Sequence, residues 1–412
     1  LYHLKFSLFI SIKVNKVYKR IIVITKKIFT YSKIVIINII ILFFFLYLIE
    51  ITINYKNNNL FKKTRIYHLN IQKNKTYNQN VFLNIAGHKF LDNTKISILP
   101  LSGYKNSTIL LCIDENNKPI FYLSDKNGFN NKMDNIVNDF LLIGDSYVQG
   151  MCVNNKNNLN AQFKKHNYIT TNLGMAGNGP LLEYATFKEY QNEYEYQDII
   201  LFITPDNDFY DLSNEKKNKI LMKYINEENF TQKIKENELS KIEVINSYFG
   251  KKTERIFNDF LSIYHFNLKE LGNTLEKIFK KENLTSNVPN YLEDDLIDLL
   301  FLRILNGFNN DAKNKNKKFY VVFNGLNPDI LYPNTENENE LNRIYIKDKL
   351  KKLKIYLNKN NIPYYDFNEY IIKNYNKANI TTLFKKINGQ WDHYTEKGFL
   401  ELTKKINTEL IK

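Results

Sequence analysis

Cysteine is nearly absent. The 412 residues hold two, Cys112 and Cys152. Two cysteines cannot build a disulfide-dense scaffold, and no cysteine pair stands at zinc-binding spacing. Histidine is almost as sparse. His3 sits in the leader, and His68, His88, His166 and His265 are isolated from any carboxylate or cysteine spacing that suggests a metal. Arginine is scarce beside the abundant Lys, Asn and Ile, a compositional bias that carries no chemistry. Acidic residues are missing altogether from residues 1–49, which hold eight basic ones: Lys5, Lys13, Lys16, Lys19, Arg20, Lys26, Lys27 and Lys33. About half of the formal net charge of +15 therefore lies in this leader. That excludes a strong nucleic-acid reading, which needs a basic face on a folded domain. No internal repeat is present. What the chain has in plenty is apolar and aromatic material, 43% and 14% of residues, enough for a packed core and incompatible with a wholly disordered chain.

The basic leader, residues 1–33, runs into Ile34–Ile53, IVIINIIILFFFLYLIEITI. A helix of that length spans about 30 Å, the thickness of a bilayer's hydrocarbon core. Only Asn38 and Glu50 interrupt it, and no small-residue cleavage site follows, so an uncleaved transmembrane anchor is expected rather than a signal peptide. Eight basic residues precede the span, and Lys56, Lys62, Lys63 and Arg65 follow it. The orientation expected is N-terminus inside, with the rest of the chain extracytoplasmic. A Cys112–Cys152 disulfide is permitted there; two buried, unpaired thiols are the alternative.

Residues 54–135 read as an N-terminal region of short strands: VFLNIAG, KISILPL, STILLCID and PIFYLSD. From residue 136 to 412 the pattern changes. Phe140–Ile143, Tyr168–Thr171, Ile199–Ile203, Phe319–Phe323 and Pro363–Phe367 are short buried runs. Helical stretches such as Leu181–Glu195 and Glu338–Leu357 separate them. Buried strands alternating with helices predict an α/β domain with a parallel sheet. Residues 213–317 break the alternation and read as a helical insertion between the third and fourth strands.

The chemistry gathers where those strands end. FLLIGDSYVQG, residues 140–150, carries a buried strand into Gly144-Asp145-Ser146. In an open α/β sheet, ligands bind at the carboxyl ends of strands. The G-x-S-x-G elbow is absent, because Val148 holds its last position. The second run leads into Asn172-Leu173-Gly174-Met175-Ala176-Gly177, whose glycines let a backbone N–H approach a substrate closely. The third leads into Thr204-Pro205-Asp206-Asn207, with an amide side chain at the same edge. Trp391-Asp392-His393 stands before a C-terminal helix and supplies an imidazole. A serine, a glycine N–H, an asparagine and a late histidine form a set suited to acyl transfer.

In that order these segments resemble the four blocks of the SGNH superfamily of GDSL hydrolases, over roughly residues 136–412 apart from the insertion. The resemblance implies a flavodoxin-like three-layer sandwich around a parallel sheet. It implies Ser146 as nucleophile and His393 as general base. It implies an oxyanion hole of the Ser146 and Gly177 N–H groups and Asn207. The stretch YLSDKNGFNN, residues 122–131, also resembles a segment ahead of the first block in some members of bacterial polysaccharide gene clusters. Many members carry an aspartate three residues before the histidine, where this chain has Gln390. Asp392 is the acid expected to orient His393, with a Ser–His dyad or Asp366 as alternatives. No cofactor and no metal is implied. The substrate expected is an acylated carbohydrate or another ester, at a membrane reached by one N-terminal helix and without nucleic acid. Three activities stay open: esterase, O-acyltransferase through the same Ser–His pair, and a non-catalytic tethered binding protein on this fold.

Overall fold

The computed structural model describes residues 25–27, 29–50, 52, 81–91, 96–114, 118–131, 137–262, 294–332, 338–387 and 390–411. The chain divides into two compact units, residues 1–65 with 254–284, and residues 66–253 with 285–412. In the first, one helix runs Thr25–Glu50 and, among the described residues, is the one long and apolar enough to cross a membrane. At about 1.5 Å per residue its 26 residues reach about 39 Å. It starts nine residues before the span expected at Ile34, because Thr25 to Lys33 continue the helix. Ile51 and Ile53 lie outside the described residues. Ile34 to Phe45 present apolar side chains that are exposed all round the helix, a pattern that suits lipid and not water.

The second unit begins with a three-stranded sheet. Strands β1 (Val81–Leu83), β2 (Thr108–Ile113) and β3 (Pro119–Leu123) pair in that order, β1 parallel and β3 antiparallel to β2. Residues 54–80 of the expected region lie outside the described residues. KISILPL is not a strand in its described part. Its Ile98, Leu99 and Leu101 are buried by an irregular segment, so the apolar run reports core packing and not extension. Cys112 of β2 is bonded to Cys152, with Cα atoms 5.5 Å apart. Of the two readings left open, the disulfide is the one found.

The main sheet has five parallel strands: β4 (Asn138–Ile143), β5 (Thr170–Asn172), β6 (Tyr196–Ile203), β7 (Phe319–Phe323) and β8 (Tyr364–Asp366). Their order is β5-β4-β6-β7-β8. Counted along the chain this is 2-1-3-4-5, the flavodoxin-like order. Each expected run forms one of these strands. Phe140–Ile143, Ile199–Ile203 and Phe319–Phe323 are buried throughout, as strands sandwiched by helices must be. Each fully buried Leu, Ile or Phe contributes roughly 1.5–3 kcal/mol. Helix Pro180–Tyr190 buries Leu181, Leu182, Ala185 and Phe187. Helix Asp295–Asn314 buries Phe301, Ile304, Leu305 and Phe308, and Phe308 stacks on Phe319 of β7 at 5.5 Å. That last helix therefore belongs to the α/β core, although it falls within 213–317. Lys219–Asn226 and Glu238–Ser262 within that stretch are helical too, while residues 227–237 between them form turns and irregular chain.

One element is absent from the sequence reading. After β8 and helix Phe367–Asn374, strands β9 (Phe384–Ile387) and β10 (Gln390–Tyr394) form an antiparallel hairpin, followed by helix Glu396–Ile406. The pairing slips inside it. Trp391 opposes Lys386 and Tyr394 opposes Phe384, so Asp392 and His393 together face the single residue Lys385.

Candidate active site

The sheet order reverses at β4, which lies between β5 and β6, and a crevice opens at such a switch point at the carboxyl ends of the strands. Ser146 follows β4, Gly177 follows β5, and Asn207 follows β6. The three are thus brought to one edge by strands whose register is fixed by burial. Ser146 is the first residue of a short helix, Ser146–Gln149, so its N–H has no intrahelical acceptor. Asp145 caps that helix by accepting from the Tyr147 N–H at 2.8 Å, which turns the serine side chain away from the core. Asn207 Nδ2 donates to the other Asp145 oxygen at 3.2 Å, and its second Nδ2 hydrogen stays available.

Gly177 has φ +66°, and a Cβ there would fall 1.9 Å from His88 Nδ1. No side chain fits that position. His88 donates its backbone N–H to the Gly177 carbonyl at 3.1 Å, holding the loop from below. Burial, then the charge of Lys89, lowers the His88 pKa, which keeps the ring neutral beside the loop. The Gly177 N–H has no hydrogen-bond partner among the described residues.

His393 arrives from the opposite direction, on β10. Its Nε2 lies 2.7 Å from Ser146 Oγ, and its Nδ1 is hydrogen-bonded to Asp392 Oδ1. Neighbouring side chains on a regular strand point to opposite faces. The bulge at Asp392–His393 removes that constraint, because a two-against-one pairing bends the strand and re-aims its side chains. Burial pushes the Asp392 carboxyl up. The hydrogen bond to His393, the His393 charge and N–H, and the charge of Lys385 outweigh it and leave the carboxyl below its ordinary value. Asp366, the alternative acid, is occupied elsewhere: it caps helix Phe367–Asn374 and pairs with Lys354 Nζ at 2.7 Å. Gln390 begins β10, outside the hydrogen-bonded line.

Tyr147 packs against the imidazole, and Tyr394 packs edge-on against Tyr147. The Tyr147 ring centroid is 4.7 Å from that of His393. Its hydroxyl donates to the Gly325 carbonyl at 3.1 Å, while the Tyr394 hydroxyl accepts from the Gly325 N–H at 2.8 Å. The loop after β7 is so tied to both tyrosines. Beneath lies a belt of acids. Burial first, and then the charge of Asp145, pushes Asp206 up to about 7. Burial with Asp145 and Asp206 does the same for Asp211, to about 7. Glu215, raised by burial and by Asp211 to about 8, accepts from the Gly179 and Leu181 N–H groups at 2.7 and 2.9 Å. It thereby anchors the chain just after Gly177. Asp145 is also raised, by burial, and His393 pulls it back down.

Sequence reasoning did not find Tyr147, His88, Glu215 or the disulfide as parts of this edge. His88 belongs to a separate region of the chain, and nothing in its neighbours signals contact with Gly177. Among the described residues no group of histidine, cysteine or carboxylate side chains could hold a metal ion.

No family model matches the chain. No curated protein matches it either. Among solved structures it is similar to a Desulfitobacterium hafniense DCB-2 protein described as lipolytic and of the G-D-S-L family. The match covers 65% of this chain and 96% of that one, at 13% identity and a TM-score of 0.34.

Proposed function

We propose that the chain is a serine ester hydrolase of the SGNH type, acting outside the cytoplasm on O-acyl groups of a glycan. The observation that carries this reading is the hydrogen-bonded line Asp392–His393–Ser146 at the switch point of the sheet. Ser146 Oγ attacks the acyl carbonyl carbon while His393 Nε2 takes its proton. Asp392 holds the imidazole tautomer and stabilises the imidazolium, as the acid of a triad does. The N–H groups of Ser146 and Gly177 and the Asn207 amide receive the oxyanion. The C–O bond to the alcohol then breaks, and His393 returns the proton to the departing oxygen. Water, deprotonated by His393, attacks the acyl-enzyme, releases the acid and restores Ser146. A sugar hydroxyl in place of that water would make the same site an O-acyltransferase.

Helix Thr25–Glu50 serves as the anchor in this reading, and the Cys112–Cys152 bond favours an oxidising compartment. A reporter active only outside the cytoplasm, fused after residue 412, should be on, and one active only inside should be off. The activity is tested by acetate release from a panel of O-acetylated polysaccharides with the full chain in detergent. Release by the wild type and none by Ser146→Ala is expected. Equal release by both proteins would overturn the reading.

A further inference from the structure

The loop after β5 places almost every backbone N–H on an acceptor within the protein. Leu173 donates to the Leu142 carbonyl at 2.8 Å, Gly174 to Asn172 Oδ1 at 2.7 Å and Met175 to the Gly144 carbonyl at 3.3 Å. Ala176 donates to Gln149 Oε1 at 3.2 Å, Asn178 to the Met175 carbonyl at 3.2 Å and Gly179 to Glu215 Oε1 at 2.7 Å. From residue 173 to 179 the Gly177 N–H alone has no acceptor among the described residues.

The peptide that carries this N–H is held from behind. Its carbonyl, on Ala176, accepts from the Gly87 N–H at 3.0 Å. In a trans peptide the C=O and N–H point opposite ways, so a carbonyl fixed on Gly87 aims the Gly177 N–H away from it. Gly87 opens the short helix Gly87–Phe90, and a side chain there would collide with that of Asn178, so glycine is what permits the approach. The following peptide is held by the His88 N–H and the preceding one by Gln149.

Gln149 joins this loop to Ser146. It lies in helix Ser146–Gln149, one turn after the serine, and is 3% exposed. Its amide has one workable orientation. The Ala176 N–H can only donate, so the side-chain oxygen must face it. Gln149 Nε2 then donates to Asn84 Oδ1 at 2.9 Å, and Asn84 Nδ2 donates back to Gln149 Oε1 at 3.0 Å. Asn84 follows β1, and its own N–H donates to the Leu110 carbonyl of β2 at 3.1 Å. The reciprocal pair stops the Gln149 amide from turning.

We propose that Gln149, backed by Asn84, is a positioning residue that sets the separation and aim of the Ser146 and Gly177 N–H groups. The proposal rests on the hydrolase reading, in which those two groups receive the oxyanion. One side chain spans both donors, since it shares a helical turn with Ser146 and grips the peptide before Gly177. Donors fixed in advance stabilise developing charge without reorganising, and they act on the transition state more than on bound substrate. Asn84 and Gly87 come from the region of the small sheet. That region therefore stiffens the site without bringing a reacting atom to it.

The test is steady-state kinetics of the full chain in detergent with a short-chain aryl ester, below the lowest melting temperature of the set. Gln149→Met keeps the length of the side chain and removes the acceptor. Its kcat should fall at least about tenfold, part of the roughly 10²- to 10³-fold lost when an oxyanion donor is removed outright. KM should stay within about threefold, because substrate binding is untouched. Gln149→Glu keeps an oxygen toward Ala176 and should retain at least about threefold more kcat than Gln149→Met. Asn84→Leu should cost less than Gln149→Met. The double variant should match Gln149→Met alone, because Asn84 acts through Gln149. If Gln149→Met does not fold, Asn84→Leu carries the same split of kcat from KM. A folded Gln149→Met with kcat within about threefold of wild type would overturn the proposal, and so would a loss in KM in place of kcat. Losses at Asn84 and Gln149 that multiply would overturn it too. A wild type that neither cleaves the ester nor reacts with a fluorophosphonate at Ser146 would overturn the hydrolase reading and this proposal with it. An active wild type with indifferent variants overturns the positioning role alone.

Discussion

The two sides of the candidate active site are built differently. Ser146 and Asn207 are delivered by β4 and β6, whose central residues are 0–4% exposed and whose register is set by burial on both faces. Asp392 and His393 are delivered by a two-stranded hairpin at the margin, with side chains about a fifth to a quarter exposed. A shift of one residue in a strand buried on both faces would exchange every side chain between two fitted, close-packed layers, so the serine side cannot slip. On the hairpin the geometry depends on one surplus residue opposite Lys385. The comparison teaches that the place of Ser146 is a property of the core, while the place of Asp392 and His393 is a property of a local mismatch.

The comparison can be broken from either side. Ser146→Ala leaves the core untouched and removes the proposed nucleophile. Hydrolysis of a short-chain aryl ester should fall at least ~10³-fold, the scale of losing one member of a catalytic unit. Inserting one alanine after Lys385 restores two-against-two pairing and sends Asp392 and His393 to opposite faces. Turnover should fall by at least ~10²-fold with little change in melting temperature. Near-normal turnover would show that the bulge is dispensable. Asp392→Asn keeps the bulge and changes only the acid. A fall in kcat of roughly 10²- to 10⁴-fold is expected, on the scale known for triads, with an unchanged melting temperature. A loss below about tenfold would leave a Ser–His dyad, since a member of a catalytic unit costs far more.

Smaller effects sharpen the buried side. Gly177→Ala forces a Cβ onto His88 and a residue with a side chain into the left-handed region, which alone costs about 1–2 kcal/mol. The melting temperature should drop, and adding His88→Ala should restore part of the drop. Last is the acid belt. Asp206, Asp211 and Glu215 have folded-state values near 7, 7 and 8, above the ordinary carboxylate range. A raised carboxyl contributes stability fully present below its unfolded value and lost as pH rises through its folded one. Thermal stability should therefore decline between pH 5 and pH 8, by roughly the scale of ordinary carboxyl linkage. Asp211→Asn should flatten the decline, as followed by thermal melts across that range.

The legibility of the sequence follows the same division. The five main strands were readable because full burial writes itself as unbroken apolar runs, and Ser146, Gly177 and Asn207 were readable because each follows one. Asp392 was expected only through the resemblance, which puts an acid close to the histidine. Adjacent residues Asp392 and His393 can meet only through a bulge, and a bulge has no composition of its own when no glycine marks it. KISILPL misled for a related reason: Leu99 and Leu101 are fully buried in an irregular segment, and burial without alternation does not specify a strand. Glu215 and His88 stayed hidden because their partners are the Gly179 N–H and the Gly177 carbonyl, backbone groups that no residue pattern encodes.

The central claim is that Asp392, His393 and Ser146 act as one unit on a nucleophilic serine. Its most direct test is intact-mass and peptide analysis of the full chain after exposure to a fluorophosphonate. The account predicts a single adduct on Ser146, absent from Ser146→Ala and slowed at least ~10²-fold in His393→Ala, which lacks the base. No adduct on Ser146, or one formed as fast without His393, would contradict it.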